Sequence, residues 1–184
     1  MRNVLDAYYF TPGNRGRESV TVDSPSKLDQ VLAEIVANRQ PQPTVVYVRG
    51  RPKTGLLQLP DHQLKFDVDV TRGVAAIHAM GPSSFVAQDN LTATPKELRD
   101  RTEADAEDSE MRAWVTLWKD SSEPATPAST ADDGDIALYV DVDTRTRFPT
   151  DAAIPLEKLR EALQEFAETG RRPTCVDWQE SDVF

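Results

Sequence analysis

The sequence is poor in cysteine, histidine and glycine, and each shortage excludes a class of functional site. The single cysteine, Cys175, rules out an intramolecular disulfide and a cysteine-based zinc cluster. The two histidines, His62 and His78, belong to no H-E-x-x-H or H-x-E…P-C-x-x-C pattern, which excludes a zincin and a zinc deaminase. With eight glycines, the chain contains neither a phosphate-binding loop nor a dinucleotide-binding turn. We therefore expect no cofactor and no metal ion, and we interpret Cys175 as a buried, unreactive thiol.

Long apolar runs are also lacking. No segment approaches the roughly 18 residues that a membrane-spanning helix needs. The N-terminal residues do not form the apolar stretch of a signal peptide, because Asp6 interrupts them. We expect a cytoplasmic protein without membrane contact, folded as a single domain over residues 1–184. A chain of this length can bury a sufficient core without disulfides.

The formal net charge of −10 is concentrated in one quarter of the chain. Between Glu97 and Asp143 there are 14 acidic and four basic residues, whereas the two types are equal in number elsewhere. Such a negative field repels nucleic acid and favours a basic protein partner through long-range steering. A solvated, partly mobile acidic insert at about 92–134 is the alternative interpretation, and it is compatible with the first.

Apolar periodicity predicts that short strands make up much of the chain. In one segment Phe66, Val68 and Val70 alternate with polar residues, as in a strand that has one buried and one solvated face. The predicted strands are Val4–Phe10, Ser19–Val22, Thr44–Val48, Leu56–Leu59, Leu64–Thr71, Gly73–Ala79, Ser84–Ala87, Met111–Trp118 and Ile136–Val142, followed by a C-terminal strand that carries Trp178.

Two amphipathic helices flank these strands. Ser24 is the expected N-cap of the first helix, with an apolar stripe that continues to about Asn38. Pro155 suits the first position of the second helix, and Gly170 suits its left-handed C-cap. A short charged helix from Pro95 and a mobile loop at Ser121–Gly134 are also predicted. Together, the predicted strands and helices indicate an α+β fold, with helices packed on one face of a mainly antiparallel sheet.

The C-terminal segment carries five short pieces in a fixed order: Ile154-Pro155, Glu165-Phe166, Thr169-Gly170, Arg172-Pro173 and Trp178. Their order and spacing over about thirty residues resemble the C-terminus of the first numbered Imm family, the bacterial polymorphic-toxin immunity proteins. The resemblance implies a small cytoplasmic protein that binds and silences a cognate toxin domain, often a deaminase or a nuclease. It implies no catalysis.

Two D-x-D pairs could carry chemistry or partner binding: Asp67 with Asp69, and Asp141 with Asp143. Residues i and i+2 share one face of a strand, so each pair places two carboxylates side by side. Such pairs could hold Mg²⁺ or Ca²⁺ or shift a pKa for acid–base work, but solvated strand faces are the preferred interpretation. If the two strands are neighbours, they form an acidic face suited to a basic toxin surface without any metal.

Three tryptophans are candidate interface anchors, because tryptophan is enriched at binding hot spots. Trp114 and Trp118 share one face if their segment is a strand, and Trp178 has a core-packing alternative against the second helix. The full set of predicted partner-binding residues is Asp67, Asp69, Trp114, Trp118, Asp132, Asp133, Asp135, Asp141, Asp143 and Trp178.

The sequence is best explained by a non-enzymatic immunity protein that occludes the active site of a deaminase or nuclease toxin, with no direct contact to nucleic acid. The main alternative is an acidic regulatory or adaptor module that binds another basic protein. A small hydrolase that uses one D-x-D pair is a more distant alternative. Oligomeric state, strand order and the identity of the toxin do not follow from the sequence.

Overall fold

A computed structural model describes residues 1–54, 56, 58–86, 111–118 and 137–183. The helix predicted from Pro95 and the loop predicted at Ser121–Gly134 lie outside these residues. Two α-helices are described, α1 (Pro25–Ala37) and α2 (Leu156–Thr169). The described strands are β1 (Leu5–Tyr8), β2 (Val20–Val22), β3 (Thr44–Val48), β4 (Lys53–Thr54), β5 (Leu59–Pro60), β6 (Gln63–Asp69), β7 (Val74–Gly81), β8 (Arg112–Leu117), β9 (Tyr139–Asp141), β10 (Thr146–Arg147), β11 (Ile154–Pro155) and β12 (Asp177–Ser181).

The main sheet has eight strands, and all of its pairings are antiparallel. Its order is β12-β8-β7-β6-β3-β1-β2, and β11 pairs with β7 beside this path. The connections from β6 to β7 and from β1 to β2 join neighbours, whereas α1 lies between β2 and β3 in the chain. The predicted α+β class with a mainly antiparallel sheet is confirmed.

Helix α1 begins where its sequence predicts. The Ser24 side chain accepts a hydrogen bond from the backbone N–H of Lys27 at 3.3 Å, which satisfies one of the free donors of the first turn. The apolar stripe then buries Leu28, Val31 and Ile35 against the sheet. Local capping and helical periodicity are thus sufficient to define this element.

Helix α2 ends at Gly170, whose φ of 66° is the left-handed conformation that glycine adopts without strain. Its start differs by one residue from the prediction. Pro155 is the N-cap and not the first helical residue, because its ψ of 149° is extended and it pairs with Val74 of β7. The helix begins at Leu156.

Two predicted strands are wrong. Residues 83–85 form a 3₁₀ turn in place of the strand Ser84–Ala87, because the Phe85 N–H bonds to the carbonyl of Pro82 at 2.8 Å and the Phe85 ring enters the core. The strand Leu56–Leu59 is replaced by a hairpin of the two-residue strands β4 and β5. Gln58 has a φ of 52° there, which a continuous strand does not allow.

The sheet separates two cores of different size. On one face, Ala75, Ile77 and Ala79 of β7 belong to the larger core with both helices. On the other face, Val74 and Ala76 pack in a smaller core against residues in and next to β9 and in the segment after β10, namely Leu138, Val140, Phe148, Ala152 and Ala153. The helices therefore cover one face, and the β9–β10 hairpin covers part of the other.

Candidate functional site

The sheet face opposite the helices is left open over β1 and β3. Leu5 and Ala7 point into the larger core, so their neighbours Asp6 and Tyr8 lie on the other face. A groove of about 610 Å³ lies there, and it is lined by Asp6, Tyr8, Val45, Tyr47, Val48, Arg49, Gly50, Arg51, Lys53, Leu59 and Pro60. We call this region the sheet-face groove.

Aromatic and aliphatic side chains form the wall of the sheet-face groove. The rings of Tyr8 and Tyr47 meet edge to face, with centroids 6.0 Å apart. The β4–β5 hairpin adds Leu59, which is 58% exposed, and carries the fully exposed Leu56 near its tip. Large apolar side chains exposed together in this way are typical of a protein-binding surface.

The rim of the groove carries basic residues, and two of them are already paired. Arg49 donates to both carboxylate oxygens of Asp6 and to the Thr21 hydroxyl. Arg51 donates to both oxygens of Asp61 at 3.1 and 2.8 Å. These bonds hold the guanidinium groups in place beside the apolar wall.

Behind the groove lies a buried Arg51–Asp61–His62 network. The His62 ring is fully buried, and its Nε2 accepts the N–H of Val48 at 2.7 Å. Its Nδ1 therefore carries the proton and donates to Asp61 Oδ1 at 2.7 Å. Burial lowers the pKa of His62 below its ordinary value. Because both ring nitrogens are engaged with protein atoms, this histidine is built for structure and not for proton transfer to a substrate.

The carboxylate of Asp61 completes this network. Burial raises its pKa, but the hydrogen bonds from Arg51 and His62 outweigh that effect and keep the pKa below its ordinary value. Arg51 also donates to the carbonyl of Gly170 at 3.0 Å, which ties the network to the end of α2.

The first D-x-D pair lies on β6, and its two members have different roles. Asp67 accepts the backbone N–H groups of Val68 at 2.9 Å and of Tyr139 at 2.8 Å, so it links β6 to β9. Burial raises the pKa of its carboxyl above the ordinary value, against the effect of these two bonds. Asp69 forms an ion pair with Arg72 at 3.1 Å.

The second pair lies on β9 and the turn after it, close to the first. Asp141 accepts the N–H of Thr144 at 2.9 Å, and Asp143 accepts from the amide of Gln42 at 2.8 Å. Strand β9 pairs with β10 in a separate two-stranded sheet and not with β6, but the hydrogen bond between Asp67 and Tyr139 joins β9 to β6. A groove of about 580 Å³ beside them is lined by residues that include Asp67, Asp69 and Tyr139.

Three of the predicted partner-binding carboxylates, those of Asp132, Asp133 and Asp135, lie outside the described residues. Within the described part of the chain, no group of three or more His, Cys, Asp or Glu side chains could hold a metal ion. The Cys175 thiol is half-buried, and burial together with a hydrogen bond to Glu165 raises its pKa to about 12, so it is protonated and a poor nucleophile.

The three tryptophans pack on the helix side of the sheet, Trp114 in β8, Trp118 just after it and Trp178 in β12. Trp114 is 6% exposed and belongs to the larger core, so its position is that of a core residue and not of a surface anchor. Trp118 and Trp178 are partly buried against the same core. The Trp178 indole N–H donates to the Pro173 carbonyl at 2.7 Å.

Sequence reasoning did not identify the sheet-face groove. The run Leu56-Leu57-Gln58-Leu59 was interpreted as a strand, although its apolar residues between Gly55 and Pro60 also suit an exposed loop. Tyr8 and Tyr47 are 39 positions apart, and only the pairing of β1 with β3 brings them together. No local pattern signals such a contact.

Comparison with known proteins is informative at the family level. No curated protein matches the chain significantly. None of the described helices has the length and apolarity needed to cross a membrane. The family model described as Immunity protein Imm1 matches residues 16–180, which is nearly the whole chain and extends well beyond the C-terminal pieces. The chain therefore belongs to the Imm1 family of immunity proteins.

Proposed function

We propose that this protein binds the toxin domain of a cognate secreted bacterial protein and inhibits it by covering its active site. The observation that carries the proposal is the sheet-face groove, where Tyr8, Leu56 and Leu59 expose apolar surface on a protein of an immunity family. Interface anchors are typically such aromatic and aliphatic side chains with a polar rim.

Charge supports a toxin that acts on nucleic acid, either a deaminase or a nuclease. An enzyme that holds a phosphate backbone presents a basic surface at its active site. The 14 acidic residues between Glu97 and Asp143 complement such a surface and would raise the association rate by steering. An inhibitor of such a toxin would act in the cytoplasm, where the substrate nucleic acid is.

Within this proposal, different residues have different tasks. Asp69, Asp141 and Asp143, together with Asp132, Asp133 and Asp135, steer and orient the encounter. Tyr8, Tyr47, Leu56 and Leu59 hold the complex by burying apolar area. Asp67 and Trp114 act indirectly, since Asp67 holds β9 and Trp114 fills the core. Trp118 and Trp178 are partly buried against the larger core, and the Trp178 ring lies against Arg172.

Co-expression with the C-terminal domain of a large secreted protein encoded beside this gene tests the proposal. We expect the toxin domain to stop growth alone, and growth to recover when this protein is present. Purified together, the two proteins should elute as one complex in gel filtration. In an assay with purified toxin, inhibition should saturate at one inhibitor per toxin domain.

Two outcomes contradict the proposal. Continued killing despite good expression of this protein would exclude the pairing. A stable complex with a neighbour whose activity it does not reduce would support the adaptor alternative, in which the same surfaces bind a basic protein without inhibiting it.

A further inference from the structure

Arg172 lies between two tryptophan rings in the loop that follows α2. Its guanidinium carbon is 4.6 Å from the centroid of the Trp114 ring and 5.4 Å from that of Trp178. Its backbone N–H donates to the Phe85 carbonyl at 2.8 Å. The Trp178 ring is itself fixed by its bond to Pro173. The position of the guanidinium is therefore set by the core and by two main-chain contacts.

Arg172 differs from the other partly buried arginines in the described residues. The other two are Arg51 and Arg72, which form ion pairs with Asp61 and Asp69, respectively. For Arg172 the described residues supply aromatic faces but no carboxylate. Burial lowers the pKa of Arg172 below its ordinary value. A half-buried cation without an anion is energetically unfavourable until a partner supplies one.

The guanidinium N–H donors of Arg172 form no hydrogen bond with the described residues. In the described part of the chain, the buried side-chain atoms that lack a hydrogen-bond partner are Thr44 Oγ1, His78 Nδ1 and Trp118 Nε1. The guanidinium nitrogens of Arg172 are not among them, and none of these nitrogens forms a hydrogen bond with another described residue. The faces of the group thus contact tryptophan, while its hydrogen-bonding positions are unused within the described residues.

We propose that Arg172 is a carboxylate-binding anchor, which forms a forked ion pair with an aspartate or glutamate of the toxin domain. This inference rests on the proposed function. A guanidinium matches a carboxylate with two parallel hydrogen bonds, and a group that is already stacked loses little side-chain entropy on binding. The neighbouring Trp178 adds a residue type that is enriched at binding hot spots.

A protein carboxylate fits this position better than a nucleic-acid phosphate. The whole chain carries a net charge of −10, which opposes the approach of a polyanion. One isolated acidic side chain on a basic toxin surface meets no such barrier. In this contact the positive charge lies on this chain and the negative charge on the toxin, the reverse of the contacts made by the acidic residues of this chain. The pair would therefore fix the orientation of the complex.

The test measures the affinity of the cognate toxin domain for wild-type protein and for Arg172→Lys and Arg172→Gln. Lysine keeps the positive charge but loses the fork and the stacking, so we expect at least about tenfold weaker binding, and a larger loss for glutamine, mainly through faster dissociation. Arg160→Lys is the matched control, because Arg160 is exposed on α2 and paired with Asp29. Its affinity should equal that of wild type.

Melting temperatures of the free variants separate binding from folding. A purely structural role predicts a lower melting temperature for Arg172→Lys with unchanged affinity, and that result would overturn the anchor while leaving the proposed function intact. A wild-type protein that forms no complex would overturn the proposed function and the anchor with it. Should Arg172→Gln fail to fold, Arg172→Lys decides the question.

Discussion

At the scale of single residues, the fold buries both histidines and disfavours their protonated, charged forms. His62 and His78 are 0% and 1% exposed. His62 uses Nε2 to accept the Val48 N–H, and His78 Nε2 lies 2.9 Å from the carbonyl of Val183. Protonation of His62 would convert an accepted hydrogen bond into a clash of two donors. The hydrogen bonds of His62 to Asp61 and Val48 thus fix the segment before β6 to strand β3.

Burial lowers the pKa of both histidines from the ordinary value of 6.5, so acid should destabilise the protein. Below pH 6.5 the unfolded chain binds protons that the folded chain does not. The free energy of unfolding therefore falls as the pH decreases from about 7 to about 5, by at most about 1.4 kcal/mol per pH unit for each histidine. Urea unfolding at a series of pH values measures this slope.

The variant His62→Gln/His78→Gln is the control for this pH dependence. Its free energy of unfolding should be lower overall but nearly constant between pH 7 and 5. Asp61 acts in a separate range, because its lowered pKa makes its stabilisation disappear only as the pH falls below its ordinary value of 3.8. An unchanged slope in the double variant would contradict the assignment to the histidines.

Gly81 is required by a close contact with an aromatic ring. A Cβ atom at this position would lie 2.6 Å from two ring carbons of Phe85, whose side chain is fully buried. We expect Gly81→Ala to lower the free energy of unfolding by about 1–3 kcal/mol, as overpacking does in a core. At Gly13 a Cβ would meet nothing within 4 Å, so Gly13→Ala should change stability little. Equal effects in the two variants, measured by urea unfolding, would refute the packing argument.

At the scale of elements, the β4–β5 hairpin contributes little to the core and much to the exposed surface. Leu56 and Leu59 are solvent-exposed, and neither belongs to a core cluster. Two leucines that the sequence alone would assign to a buried strand are thus exposed to solvent. The hairpin projects beside the sheet-face groove, where a bound toxin would bury both leucines.

The variant Leu56→Ser/Leu59→Ser should weaken toxin binding at least about tenfold and leave the free energy of unfolding within about 0.5 kcal/mol. Calorimetric titration and urea unfolding measure the two quantities. Val70→Ser is the matched control, because Val70 is 48% exposed but lines the other groove. A loss of affinity for Val70→Ser with none for the leucine variant would place the interface on the acidic side.

At the scale of the whole molecule, most of the net charge lies outside the described residues. The described residues contain 18 acidic and 17 basic side chains, so they are nearly neutral. Almost the entire charge of −10 belongs to segments outside them. Because long-range steering depends on how charge is distributed over the molecule and not on close packing, these segments can raise the association rate whatever the anchors contribute to affinity.

Neutralising Asp132, Asp133 and Asp135 to asparagine should slow toxin association severalfold at low salt and change dissociation little. Stopped-flow association over a range of ionic strength measures this, and the salt dependence should become weaker. A variant with Asp23→Asn, Glu157→Gln and Glu180→Gln removes the same charge from exposed positions elsewhere. If both variants slow association equally, total charge alone controls the encounter and the acidic segment has no special position.

The sequence by itself determined the features that depend on local spacing. The Ser24 cap, the stripe of α1 and the Gly170 stop each involve residues within a few turns of one another, so the physical causes lie side by side in the chain. The same holds for Leu64, Phe66 and Val68 of β6, which alternate as predicted, and for the order of pieces at the C-terminus, which indicated the Imm family. Val70, predicted on the same buried face, is instead 48% exposed beyond the end of the strand. Where a short apolar run occurred without such local rules, at Leu56–Leu59 and Ser84–Ala87, strand prediction failed.

Only the tertiary structure decided which distant residues meet. His62 meets Val48, Arg51 meets Gly170, and Arg172 stacks on Trp114, through strand pairings and helix docking that no local pattern encodes. The tertiary structure also decided which apolar residues are buried, since Trp114 fills the core whereas Leu56 and Leu59 remain exposed. The physical reason is that exposure and pairing are properties of the packed chain as a whole, whereas propensity and periodicity are properties of a short segment.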